Sequence, residues 1–201
     1  MNITRIEWCD ATINPVVGCP HGCPYCYARK QAKRQKQRCD LCYQFIPHPH
    51  IERLDELKPT QKPKKIFIDS MWDRNANGVR KEWILRILDK IGQCPQHTFQ
   101  ILTKRPARYS RFSYPKNVWL GTSVATNADL DRIHELIHAC PNNLKFVSIE
   151  PIHERIDHHF SEIDWIIIGA ETGHRKGKII PAKKWITEII KTAGVANIPF
   201  L

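Results

Sequence analysis

The feature that most restricts how this chain can fold is a recurrence: short apolar runs rich in β-branched residues alternate with helical patterns over most of its length. KIFID (65–69), HTFQIL (97–102), NVWLGTSV (117–124), LKFVSIE (144–150) and DWIIIGAE (164–171) are nearly continuous apolar runs, the pattern of strands covered on both faces. ATINPVVG, just ahead of a cysteine cluster, reads as a further strand that Pro15 makes irregular. Between these runs, Trp83, Ile84, Ile87, Leu88 and Ile91 form one helical stripe, and Leu130, Ile133, Leu136 and Ile137 a second, after the polar Thr126 and Asn127. A third, Trp185, Ile186, Ile189 and Ile190, follows Pro181, a good first-turn residue. All three stripes are expected to face the core, and shorter helices are expected after Pro106 and around 153–160.

This alternation predicts an α/β fold with a parallel sheet and right-handed crossovers. Six strands are too few for a closed eight-stranded barrel, which leaves an open, partial barrel or a doubly wound sheet. In either, functional groups gather at the carboxyl ends of the strands. Residues 27–64 break the rhythm with a basic helix, a second cysteine pair and the segment QFIPHPHIERLDELKPTQKP, read as an insertion on a single domain spanning 1–201.

With 201 residues, 42% of them hydrophobic, the chain can bury a substantial core. No apolar run reaches the roughly 18–20 residues that cross a bilayer. The opening MNITRIEWCD lacks the basic start and apolar stretch of a secretion signal, so a cytoplasmic protein with no membrane partner is expected. The net charge of +11 fits a polyanionic partner or substrate and leaves oligomeric state open. In a reducing compartment its eight cysteines would be thiols, and clustered thiols there point to metal before disulfides.

VVGCPHGCPYCYARK places Cys19, Cys23 and Cys26 in one turn-rich loop. Four thiolates would close a zinc site or fully ligate an iron–sulfur cube, whereas three leave one metal corner for a small-molecule ligand. Gly18, Pro20, Gly22 and Pro24 let the loop wrap a cluster, and Tyr25 offers an aromatic surface beside the last thiol. His21, between two of the thiols, is an alternative fourth ligand.

In these elements the chain resembles the radical SAM superfamily, whose signature is three cysteines with three and two intervening residues and an aromatic residue before the last. The strings IEWCDATINPVVGC, IFIDSMWD, TFQILTKRP, NVWLGTSV, VSIEP and DWIIIGAETG further resemble a phage-associated and prokaryotic family of small radical-SAM-like proteins of unknown function. The resemblance implies a partial (β/α)6 barrel of that type. It also implies a [4Fe–4S] cluster on Cys19, Cys23 and Cys26 that binds S-adenosyl-L-methionine, and reductive cleavage to a 5′-deoxyadenosyl radical with a reductant such as flavodoxin or ferredoxin. By position, Tyr25, Asp69 and Ser70 are then candidate cofactor contacts, the latter two for the methionine amino group. Thr103, Lys104 and Arg105 follow the third strand, where a cation could pair with the carboxylate; Ser123 and Asn127 could reach the ribose; Glu150 and Glu171 end the last two strands. Strand-end Ser, Thr and Asp residues also commonly serve as caps and turns.

Cys39-Asp-Leu-Cys42 followed by His48-Pro-His50 brings two thiols and two imidazoles within a short span, a set that suits tetrahedral zinc or a second cluster, with reduced structural thiols or a redox pair as alternatives. The one-residue gap between the histidines is shorter than in common zinc motifs. Between the pairs, ARKQAKRQKQR carries Arg29, Lys30, Lys33, Arg34, Lys36 and Arg38 without one acid, a surface that suits phosphate or simple solvation. Two functions therefore stand side by side: a radical S-adenosylmethionine enzyme acting on an unidentified substrate, with nucleic acid or a nucleotide as the candidate, and a zinc-containing nucleic-acid-binding module without catalysis.

Overall fold

A computed structural model describes residues 1–140 and 142–201. The chain divides into two compact units, Met1–Ile101 with Ser113–Trp119, and Leu102–Phe112 with Leu120–Leu201.

The first unit begins with β1 (Asn2–Ile3) and β2 (Ala11–Thr12), paired antiparallel. Then come β3 (Val16–Val17), α1 (Tyr27–Ala32), α2 (Asp40–Gln44) and β4 (His48–Pro49). The unit continues through β5 (Lys65–Phe67), α3 (Lys81–Gly92) and the start of β6 (Thr98–Thr103). β2, β5 and β6 run parallel, while β3 and β4 form a separate antiparallel pair. α3 buries Ile84, Ile87, Leu88 and Ile91, the stripe expected from the sequence, and Trp83 stays half-buried with the Arg80 guanidinium 5.8 Å above its ring.

The second unit holds the end of β6 and most of β7 (Val118–Ser123), followed by α4 (Asp131–Ala139), β8 (Lys145–Ile149), β9 (Trp165–Ile168) and α5 (Lys183–Val195). β7, β8 and β9 are parallel. α4 is entered through a single 3-10 turn in which Thr126 and Asp129 form a reciprocal capping box, and it buries Ile133 and Leu136. The last residues add to the edge of β9, where the Ile166 and Ile168 amides donate to the carbonyls of Pro199 and Leu201.

The α/β class and the mostly parallel strands agree with the sequence pattern, and the details differ in three places. Residues 153–160 form no helix; the Asn127 side chain instead ties this stretch down, donating to the Arg155 carbonyl and accepting from the Asp157 amide. The basic segment is helical only through Ala32, tightens to a 3-10 turn over Lys33–Gln35 and then opens, consistent with repulsion among its uncompensated cations. On α5, Ile189 and Ala193 are buried while Trp185 and Ile186 are half-covered and Ile190 is exposed, so the apolar stripe meets the core along only part of its length. Among the described residues no helix is long and apolar enough to cross a membrane.

Candidate functional site

The cysteine loop starts where β3 ends. Gly18 adopts φ +101°, a left-handed backbone open to glycine, and its amide donates to the Met71 carbonyl (3.0 Å), which places the loop beside the carboxyl end of β5. Tyr27, in the first turn of α1, donates its hydroxyl to the Ser70 carbonyl (2.6 Å). Cys26 caps α1: its Sγ accepts the Arg29 amide at 3.3 Å, and the Arg29 guanidinium reaches back to the Cys19 carbonyl at 3.0 Å. Both contacts tie the thiol loop to the first turn of α1.

Cys19, Cys23 and Cys26 are all half-buried. Burial pushes the Cys19 thiol up to about 11, and the Asp73 carboxylate and the thiols of Cys23 and Cys26 push it the same way, so the three sulfurs share one electrostatic neighbourhood. His21 is turned to Asp73, with Nε2 2.8 Å from Oδ2. That contact engages one of the two ring nitrogens through which it could have served as a fourth ligand.

The second cluster is tightly drawn. The ligand atoms of Cys39, Cys42, His48 and His50 all lie within 4.8 Å of one another. His48 Nε2 is 3.4 Å from the sulfurs of both Cys39 and Cys42, Cys42 Sγ is 3.2 Å from His50 Nε2, and the two Nε2 atoms are 2.9 Å apart. Zinc with bonds of about 2.3 Å to sulfur and 2.0–2.1 Å to nitrogen has tetrahedral edges of about 3.6 Å for S···N and about 3.3 Å for N···N. These four pairs therefore need only a small expansion, and any wider pair, up to the 4.8 Å limit, a contraction, to accept the ion.

The outer hydrogen bonds select the tautomers this requires. His48 Nδ1 lies 2.7 Å from the Ile46 carbonyl, which can only accept, so Nδ1 carries the proton and the Nε2 lone pair faces the cluster. His50 Nδ1 faces Glu52 Oε1 at 3.2 Å with the same result. Two nitrogen lone pairs facing each other repel unless a cation lies between them. The Cys42 thiol, pushed up to about 11 chiefly by burial, keeps its proton until such a cation displaces it. The Cys2His2 group could thus hold a metal such as zinc.

The remaining candidates divide between the units. In the first, the Asp69 side chain is fully enclosed with Arg74 3.4 Å away and neither carboxylate oxygen hydrogen-bonded among the described residues, whereas Ser70 Oγ exchanges hydrogen bonds with Asn14 (2.8 and 3.1 Å) and is occupied by protein groups. Tyr25 is half-buried on the thiol loop. In the second unit, Thr103 Oγ1 accepts the Arg105 amide (3.0 Å), a capping contact, and Lys104 beside it is half-exposed. Buried Ser123 offers its carbonyl to Arg132 (2.9 Å). Glu150 is exposed, its side chain lying over Gly169, where a Cβ would come within 2.9 Å of it. Glu171 is buried and held by a two-point contact from Arg175 (2.6 and 2.7 Å), with His153 3.8 Å away. Four residues that shape these sites were not singled out by the sequence reading: Arg29, Glu52, Asp73 and Arg74. Arg29 stood only as one charge in a basic run, Glu52 and Arg74 act on near neighbours in the chain (His50 and Asp69), and Asp73 reaches His21 across 52 residues, a contact no local spacing signals.

No curated protein and no solved structure matches the chain. The resemblance to the radical SAM superfamily is corrected by the family comparison, in which the match falls to a different family, of unknown function. Three thiols in a glycine- and proline-rich turn are a local device for wrapping a metal, and that device alone does not carry a superfamily assignment. Nearly the entire chain, residues 3–201, matches the family described as protein of unknown function (DUF5131), and the chain belongs to that family.

Proposed function

We propose that this protein is an iron–sulfur enzyme in which Cys19, Cys23 and Cys26 hold a [4Fe–4S] cluster, leaving one iron for a small-molecule ligand, S-adenosyl-L-methionine. The observation that carries this reading is the set of three half-buried thiols on one loop beside the carboxyl end of β5, with His21 engaged by Asp73. Bound there, the cluster would supply the electron for reductive cleavage of the sulfonium, drawn from a reductant such as flavodoxin or ferredoxin. The chain's own part is to bind: the Arg29 amide at Cys26 Sγ and its guanidinium at the Cys19 carbonyl fix the loop. A partial (β/α)6 barrel belongs to the same proposal, as does a nucleic acid or nucleotide substrate, for which the support is the net charge of +11.

The test is metal and product analysis of protein purified without oxygen. About four irons and four sulfides per chain, lost in the Cys19→Ala, Cys23→Ala and Cys26→Ala variants, with 5′-deoxyadenosine released under reductant, support the proposal. Colourless, iron-free protein that releases no 5′-deoxyadenosine overturns it.

A second reading rests on a separate observation. The Cys2His2 group stands next to the exposed cations Lys30, Lys33, Arg34, Lys36 and Arg38, the arrangement of a zinc-bearing module that tracks phosphate. Zinc alone, with binding of a labelled oligonucleotide that weakens steeply with salt, decides for this reading.

A further inference from the structure

We propose that the Cys39–Cys42–His48–His50 group is a structural zinc site that sets the conformation of the Cys19–Cys26 loop. This deepens the proposed function only in taking that loop as the working part of the chain; the coupling itself is read from contacts between the two segments.

The segment that supplies the zinc ligands has no regular element long enough to hold itself. α2 is five residues long and β4 two, against the roughly 12–15 residues at which isolated helices become even marginal in water. Between residues 39 and 50 only Cys42, Phe45 and His48 are buried, and Leu41 and Ile46 are exposed. The segment therefore lacks a core of its own, and a metal joining residues 39 and 42 to 48 and 50 closes it into a unit. Each zinc bound displaces the two thiol protons to solvent, and the imidazoles enter neutral through Nε2.

The closed segment forms one wall of the thiol loop. Val17 pairs with His48 across the β3–β4 ladder, so a ligand residue sits in direct register with the strand that delivers Cys19. The Ile46–Pro47 backbone crosses Gly18 so closely that a Cβ there would lie 2.3 Å from the Ile46 carbonyl carbon and oxygen and 2.6 Å from Pro47 N. The Cys19 amide donates to the Phe45 carbonyl (3.3 Å), and the Arg29 guanidinium that holds the Cys19 carbonyl lies 4.9 Å above the Phe45 ring. Val17, Ala28, Ala32, Cys42 and Phe45 form one small apolar cluster, against which Cys19, Cys26 and Cys39 pack. Both metal-binding segments thus share a single patch of core, and zinc ordering one orders the other.

The experiment uses the full chain, iron-free, under anaerobic conditions, with N-ethylmaleimide labelling of each cysteine followed by mass spectrometry. Zinc is removed with a chelator and then restored, and His50→Ala and Glu52→Gln are run in parallel. The expected result is about one zinc per chain, about tenfold or more weaker in Glu52→Gln, whose lost carboxylate no longer orients His50. Removing zinc, or replacing His50, exposes Cys39 and Cys42 and also accelerates labelling of Cys19; restoring zinc to the wild type reverses both. The far-UV circular dichroism is largely retained throughout. The inference is overturned if Cys19 labelling is indifferent to zinc, if zinc removal unfolds the whole chain, or if Cys39 and Cys42 are found joined as a disulfide instead of binding metal. Iron reconstitution is measured separately: zinc-dependent Cys19 labelling without iron binding sinks only the proposed function, and iron binding without zinc dependence sinks only this inference.

Discussion

The Ile46 carbonyl lies in the space that a side chain on Gly18 would need, with carbon and oxygen each 2.3 Å from the position of a Cβ. Backbone against backbone leaves nothing to rotate away, and the φ of +101° at Gly18 adds a conformational penalty of about 1–2 kcal/mol for any other residue. Gly18→Ala should therefore lower the melting temperature well beyond Gly173→Ala, where φ is +80° but nothing lies within 4 Å, and should also reduce zinc retention. Equal losses of thermal stability in the two variants would show that the close crossing of Ile46 has no energetic weight.

Gly121 on β7 faces its ladder partner Phe146 on β8, and a Cβ would meet the Phe146 ring at 2.4–2.6 Å. Here the obstacle is a fully buried side chain, so relief by substitution is available. Gly121→Ala is expected to cost about 1–3 kcal/mol by overpacking, and Phe146→Leu in the same chain should return part of it. Urea denaturation of the two single variants and the double variant measures the coupling; strictly additive losses would mean the contact is not the cause.

The amphipathic helices were legible because their burial repeats with helical period: α3 buries Ile84, Ile87, Leu88 and Ile91 as its spacing requires. The strand before the cysteines was legible only as an apolar run. It breaks into β2 and β3 because the Asn14 side chain leaves the strand to bond Ser70 and the Met71 amide, 56 and 57 residues away in the chain. The one-residue gap between His48 and His50 is shorter than in common zinc motifs, and the backbone explains why it still serves. In extended backbone, residues two apart point to one side, and Pro49 favours that extension at His48, so the short gap is what lets both imidazoles reach one ion. The pairing of His21 with Asp73, 52 residues apart in the chain, had no local signal at all.

Asp69 and Arg74 have fully enclosed side chains 3.4 Å apart. Burial pushes the Asp69 carboxyl up to about 7, with Arg74 pulling it down and Asp73 pushing it up by smaller amounts. Between an ordinary unfolded value of about 3.9 and the folded value, the native chain keeps a proton that the unfolded chain has lost, so this group's contribution to stability falls as pH rises through that window. Asp69→Asn imitates the protonated acid and carries no such slope. The stability advantage of wild type over Asp69→Asn, from urea midpoints, should be larger at pH 4.5 than at pH 8. An advantage that grows with pH would mean that the ionised pair is favoured over the neutral acid, the opposite of the direction argued here.

The eight thiols differ in access and in acidity, which allows a chemical check on which of them meet solvent and metal. Burial pushes Cys140 up to about 12 and Cys9 up to about 11, and raises Cys94 as well, while all three are buried. At pH 8 thiols with values of about 11 and 12 have on the order of one part in 10³ and one part in 10⁴ as reactive thiolate, against roughly a quarter for an ordinary cysteine. Cys23 and Cys26 are half-exposed on a loop that offers Cys26 a backbone N–H. In iron-free, zinc-loaded protein at pH 8, maleimide should therefore modify Cys23 and Cys26 first, with Cys9, Cys94 and Cys140 last. Replacing Cys94 or Cys140 by alanine should leave zinc and iron content unchanged, because their sulfurs serve as apolar filling. Early labelling of Cys94 or Cys140 in folded protein, or metal loss on replacing either, would move these residues out of the core and into the metal chemistry.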